Sequence, residues 1–141
     1  MSSLRPEQLP AALERSLAPV YLLGGNEPLL LQECRDAIIR AAQVQDFTER
    51  DVIETSARFD WAALGETSAA PSLFATRRII DLRLPTGKPG REGSKALLAL
   101  LDSPDPDVLL LVSTGEWKAE MRKSKWAREL AAAGFLTANI D

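Results

Sequence analysis

Val20-Tyr21-Leu22-Leu23-Gly24-Gly25-Asn26-Glu27-Pro28-Leu29-Leu30-Leu31 is the stretch on which the fold turns. Val20 to Leu23 is a compact apolar run, and Gly24-Gly25-Asn26 closes it, so it reads as a strand followed by a turn. From Pro28 to about Gln45 the period changes. Leu30, Cys34, Ala37, Ile38 and Ala41 recur at helical spacing and form one apolar stripe. Asn26 and Pro28 suit a helix start, where a capping side chain is useful and a missing N–H costs nothing. Strand, glycine turn and helix N-terminus together make the layout of a phosphate-binding loop.

The chemistry of such a loop needs G-x-x-x-x-G-K-[ST]. Counting from Gly24, the second glycine falls on Leu29, the lysine on Leu30 and the Ser/Thr on Leu31. Leu30 cannot neutralise a phosphate, Leu31 cannot ligate magnesium, and Pro28 removes a backbone N–H nearby. Nucleotide-hydrolysing enzymes of this class also carry an acid at the end of a central strand. The apolar run Val108 to Val112 instead leads into Ser113-Thr114-Gly115, with no carboxylate before Glu116. The nucleotide loop Gly24, Gly25, Asn26, Leu29, Leu30, Leu31 is therefore expected to be degenerate and to serve only as a link.

Outward from this unit, strands and helices alternate. Pro6 to Leu17 predicts a short helix interrupted before Pro19. Asp51 to Glu54 predicts a short strand, Asp60 to about Ala69 a helix, and Arg77 to Leu84 a strand with an alternating end. Thr86 to Gly93 is a Gly/Pro-rich loop, and Ser94 to Ser103 a helix capped by Ser94. Val108 to Val112 has the continuous apolar character of a central parallel strand. Trp126 to Ala133 predicts a helix stopped by Gly134, and Phe135 to Ile140 a last strand. Five strands separated mostly by helices imply an α/β fold with a mostly parallel five-stranded sheet flanked by helices. A chain of 141 residues fits one domain, and its end just after the last strand suggests the edge of a longer protein.

Composition narrows the chemistry. The chain is 45% apolar and 26% charged, as a folded domain should be. It has no histidine and one cysteine, which removes the commonest general base and the usual zinc sites. No cofactor or metal is expected. Its apolar runs are too short for a membrane span, and Met1 to Pro6 has no signal-peptide character. Those features and the lone cysteine predict a cytoplasmic protein. The net charge of −3 argues against strong unaided nucleic-acid binding.

Among single features, Cys34 lies on an apolar stripe and reads as core. Glu27 and Glu33 flank the helix start and read as complements to its dipole rather than as a catalytic pair. Lys118, Arg122, Lys123, Lys125 and Arg128, interleaved with Trp117 and Trp126, could contact DNA or an acidic partner surface, although a solvated helix face with its tryptophans turned inward accounts for them better. Arg77 and Arg78 read as ordinary surface charges. Ala69-Ala70-Pro71-Ser72-Leu73-Phe74 lies between a helix and a strand. Its Leu-Phe pair either packs inside or is exposed as an anchor for a partner's apolar pocket, and periodicity leaves both open.

Leu4-Arg5-Pro6-Glu7-Gln8-Leu9, the block Tyr21 to Glu33, Asp60-Trp61 and Ser72-Leu73-Phe74-Ala75 together resemble the family of delta subunits of bacterial DNA polymerase III. The Tyr21 to Glu33 block is the specific part, and the likeness runs from about Leu4 to the end. The resemblance implies the AAA+-like first domain, residues 1–141, of a three-domain clamp-loader subunit with no working nucleotide site. It implies a non-catalytic member of a nucleotidyltransferase complex in DNA replication. Its partners would be the sliding clamp (the beta subunit), the other loader subunits and, weakly or through the assembled loader, primed DNA. It also implies that Leu73 and Phe74, preceded by Ser72, enter a hydrophobic pocket of the clamp and help its ring to open. The general clamp-binding pattern is Gln-Leu-Ser/Asp-Leu-Phe. Ala70 and Pro71 replace its first two residues, losing a polar contact and stiffening the approach. The alternatives are a P-loop-type nucleotide-binding enzyme and a direct DNA-binding module.

Overall fold

Strand β1 (Val20–Gly25) is buried along its whole length and lies inside the sheet. The computed structural model describes residues 3–56, 59–64, 77–86 and 88–140. β2 (Phe47–Glu54), β3 (Arg77–Leu84), β4 (Val108–Thr114) and β5 (Phe135–Ile140) complete the sheet, in the order β2-β3-β4-β1-β5. All four neighbouring pairs are parallel, so each connection has to cross a face of the sheet.

Those crossings make three layers. A short 3₁₀ turn at Pro6–Gln8 leads into α1 (Leu9–Arg15), which packs with α2 (Pro28–Val44) on one face, over Tyr21, Leu23, Ile79, Leu109 and Leu111. The other face carries α3 (Gly90–Asp102) and α5 (Lys125–Ala133), with the short α4 (Ala119–Lys123) leading into α5. Leu97, Trp126 and Leu130 pack there against Val20, Leu22, Ile80, Leu82 and Val112. Alternate residues of β1 and β4 thus serve opposite cores, which is why both strands are almost uninterruptedly apolar. Residues 61–64 are helical, and Leu64 joins the second core.

Several boundaries differ from the sequence reading. β2 starts at Phe47 rather than Asp51, and α3 starts at Gly90 rather than Ser94. Ser94 does not cap that helix; its hydroxyl donates to the Gly90 carbonyl one turn back (2.7 Å). The helix from Asp60 is described only as far as Leu64, and its remainder to Ala69 lies outside the described residues. Arg77 and Arg78 are not ordinary surface charges. Arg78 is buried and pairs with Asp51 (3.8 Å). Arg77 pairs with Asp107 (3.2 Å), donates to the Gln45 carbonyl (2.8 Å) and lies 4.4 Å over the Phe47 ring. Together they clamp the start of β3 to its neighbours.

Candidate functional site

In open parallel α/β sheets ligands bind beyond the carboxyl ends of the strands, where neighbouring connections diverge. Here that place lies between β1 and β4. The chain leaves β1 through α2 toward β2 on one face, and leaves β4 through α5 toward β5 on the other. Gly24, Gly25 and Asn26 sit at this crevice, followed by the start of α2.

The crevice is already occupied by the protein itself. A Cβ placed on Gly24 would lie 2.5 Å from Cε3 of Trp117, so the indole rests directly on the glycine. Glycine is required at position 24 to admit Trp117. The segment carrying the indole is tied down, because the Thr114 hydroxyl donates to the Glu116 carbonyl (2.9 Å) and lies 3.3 Å from that of Leu23.

The start of α2 is also taken. Glu27, not Asn26, is its N-cap, and the Glu27 carboxylate accepts from the Leu29 N–H (3.1 Å). A carboxylate stands where a phosphate-binding helix would hold its anion. Pro28 follows at the first helical position. Leu31 is buried in the α2 core, Leu30 is half-buried against it, and Leu29 is 65% exposed. None of the three offers a cation or a metal ligand. Among the described residues, no group of three or more His, Cys, Asp or Glu is placed to hold a metal ion.

The sequence reading missed an acid on the second central strand. Asp81 of β3 is fully buried on the α2 face. Its Oδ2 accepts from Arg83 Nη2 (3.1 Å) and lies 3.9 Å from Arg50 Nε. Close by, Arg35 of α2 donates to the Ser113 hydroxyl of β4 (2.9 Å). Ser113 is in register with both Arg83 and Leu23. The alternating end of β3 set Asp81 and Arg83 opposite Ile80, Leu82 and Leu84 in the sequence, but nothing there showed that the Asp81 side is covered by α2. The alternation Asp81, Leu82, Arg83 was the available signal.

The cations Lys118, Arg122, Lys123, Lys125 and Arg128 are all exposed, while Trp126 is buried and Trp117 half-buried. The tryptophans turn inward, as the solvated-face reading expected. Cys34 is buried in the α2 core, and burial, reinforced by the charge of Glu33, pushes its thiol pKa up. Ala70, Pro71, Ser72, Leu73 and Phe74, expected from the resemblance to contact the clamp, lie outside the described residues. Their flanks are described: Leu64 is held in the core, and Arg77 is held by its ion pair and carbonyl contacts.

The sheet order, with Gly24 and Gly25 at the carboxyl end of β1, defines a P-loop-type, AAA+-like α/β fold in which Trp117 packs on Gly24 and Glu27 caps α2. Residues 21–138 match the family described as DNA polymerase III, delta subunit, and the chain belongs to that family. It is 37% identical over 131 residues to the DNA polymerase III subunit delta of Escherichia coli, an alignment covering 93% of this chain and 38% of that protein. With the Haemophilus influenzae subunit delta the identity is 36% over 126 residues, covering 89% and 36%. The chain thus spans a little over a third of the length of these relatives. The Bacillus subtilis DNA clamp loader delta protein superposes with a TM-score of 0.71 at 21% identity, covering 94% of this chain and 42% of that one. A DNA polymerase III gamma subunit-related protein from Thermotoga maritima does so at 0.60 and 12% identity, covering 96% and 45%.

Proposed function

We propose that this chain is the clamp-binding, AAA+-like first domain of a three-domain clamp-loader delta subunit acting in the cytoplasm. It binds the sliding clamp, helps to open the ring, and joins the other loader subunits, through which it meets primed DNA. Membership of the delta family carries this reading. Leu73 and Phe74 are the grip, with Ser72, Pro71 and Ala70 shaping the approach. Burying a leucine and a phenylalanine in a partner's pocket stabilises a complex by roughly 1.5–3 kcal/mol for each side chain. Ring opening follows only if those contacts are stronger in the open clamp than in the closed one.

The test is surface plasmon resonance on the immobilised clamp, comparing this chain with Leu73→Ala/Phe74→Ala. We expect binding by the parent and a loss of roughly 100-fold or more in the variant, consistent with two anchors of that size. Both proteins should show the same circular dichroism. A variant that unfolds would place the pair in the core and overturn the site.

The domain has no ATP hydrolysis of its own. Trp117 over Gly24, the Glu27 cap and the three leucines support this, since each takes away something a phosphate or magnesium ion would need. With magnesium and ATP, phosphate release above the uncatalysed background should be undetectable. Turnover that survives further purification would refute this part of the reading.

A further inference from the structure

Two guanidinium groups pair with one carboxylate beneath α2, a third stands nearby on α2, and none of the three has a role in the reading above. Arg83 and Arg50 share the single oxygen Oδ2 of Asp81, so they stand side by side on β3 and β2. Arg35 reaches in from α2 to Ser113 on the other side of β3. Asp81 is fully buried, while the side chains of Arg83 and Arg50 are 32% and 40% exposed. The cluster is therefore open on its cationic side and closed on its acidic side. Glu54 stands in register with Arg83 on the edge strand, but it is exposed and forms no ion pair among the described residues. Asp36, next to Arg35 on α2, forms none either. Burial, and then the charge of Arg83, lower the pKa of Arg35, with Asp81 and Asp36 only partly opposing them. Among the described residues, Asp81 is the one carboxylate within ion-pair distance of this arginine cluster.

We propose that Arg35, Arg50, Arg83 and Ser113 form a binding site for a phosphate-class oxyanion. Guanidinium groups present several N–H donors in a fixed plane, which suits the oxygens of a phosphate. The Ser113 hydroxyl adds a donor, and Asp81 holds Arg83 in place from behind. The site lies two turns into α2 and not at its N-terminus, on the α2 side of the sheet, whereas Trp117 packs with the core on the other side. The phosphate is either free in solution or the phosphoryl group of a larger molecule such as a nucleotide.

The experiment is titration of the isotopically labelled chain with inorganic phosphate, and separately with magnesium-free ATP, followed by backbone amide shifts. Saturable shifts centred on Arg35, Arg50, Arg83 and Ser113 support the site. Saturation by phosphate assigns a free anion, and saturation by ATP alone assigns a nucleotide phosphoryl group. Arg35→Gln and Arg50→Gln should each weaken binding by roughly tenfold, the loss expected for a charged hydrogen bond. Lys123→Gln, on the opposite face, should leave it unchanged. Shifts absent from these four residues with both ligands, or equal affinity in all three variants, would overturn the proposal. The wild-type shift map decides the matter even if one arginine variant fails to fold.

Discussion

A methyl group at position 24 would meet the Trp117 indole well inside van der Waals contact. Gly24→Ala should therefore destabilise the chain by about 1–3 kcal/mol, the usual cost of overpacking a filled site. In a Trp117→Ala background the same substitution should cost less than half as much, because the obstructing ring is gone. Chemical denaturation of the four proteins of this double-mutant cycle measures the coupling, and additive effects would mean that the indole does not rest on Gly24. The leucines at positions 29 to 31, where a phosphate loop would carry glycine, lysine and Ser/Thr, are read directly from the sequence. Trp117 as the group that rests on Gly24 was not, because nothing in local spacing ties a residue after β4 to a glycine at the end of β1. Arg78 was misread for the same reason. A long basic side chain at a strand start is usually exposed, and only the neighbouring strand shows that Asp51 is there to pair with it.

Elements were more legible than their phases and ends. β3 and β5 have the boundaries that the sequence suggests, because alternation and flanking turns mark them. On α2 the buried line is Leu31, Cys34, Ile38, Ile39 and Ala42, one step around the helix from the stripe read in the sequence. Three consecutive leucines at its start carry no phase, so only packing on β1 sets the rotation. β2 was read too short because its first half, Thr48, Glu49 and Arg50, is polar on an edge strand. β3 also carries the ion pair of Asp81 and Arg83, and its two halves should respond unequally to mutation. Arg83→Ala leaves a fully buried carboxylate with only the more distant Arg50, and should cost about 3 kcal/mol. Asp81→Leu leaves arginines that can turn to water and fills the site with apolar volume, so it should be nearly neutral. Equilibrium urea unfolding of the two variants would expose the reverse order, which would mean that the arginines and not Asp81 are the desolvated partners.

At the scale of the whole molecule, Tyr21 and Cys34, which lose a proton in alkali, are sealed in the core beneath α1 and α2 and set how the fold responds to it. Tyr21 is stacked on Phe135, and its hydroxyl accepts from the Ala18 N–H (2.9 Å). Burial raises its pKa above the ordinary 10.0, against the smaller opposing effect of that hydrogen bond. Burial, then the charge of Glu33, raises the pKa of Cys34 above the ordinary 9.0. In both cases the native chain keeps a proton that the unfolded chain gives up first. Their contribution to stability is therefore complete below the unfolded values and is lost as pH rises through the folded ones. The denaturation midpoint should begin to fall near the ordinary thiol value and fall further beyond the phenol value. Cys34→Ala should remove the earlier part of this decline. Tyr21→Phe should remove the later part while lowering stability at neutral pH by about 1 kcal/mol, the worth of one buried hydrogen bond. Urea midpoints measured across the alkaline range for the three proteins separate these contributions. Parallel curves would mean that neither group titrates differently in the folded chain, and that the core beneath α2 admits water.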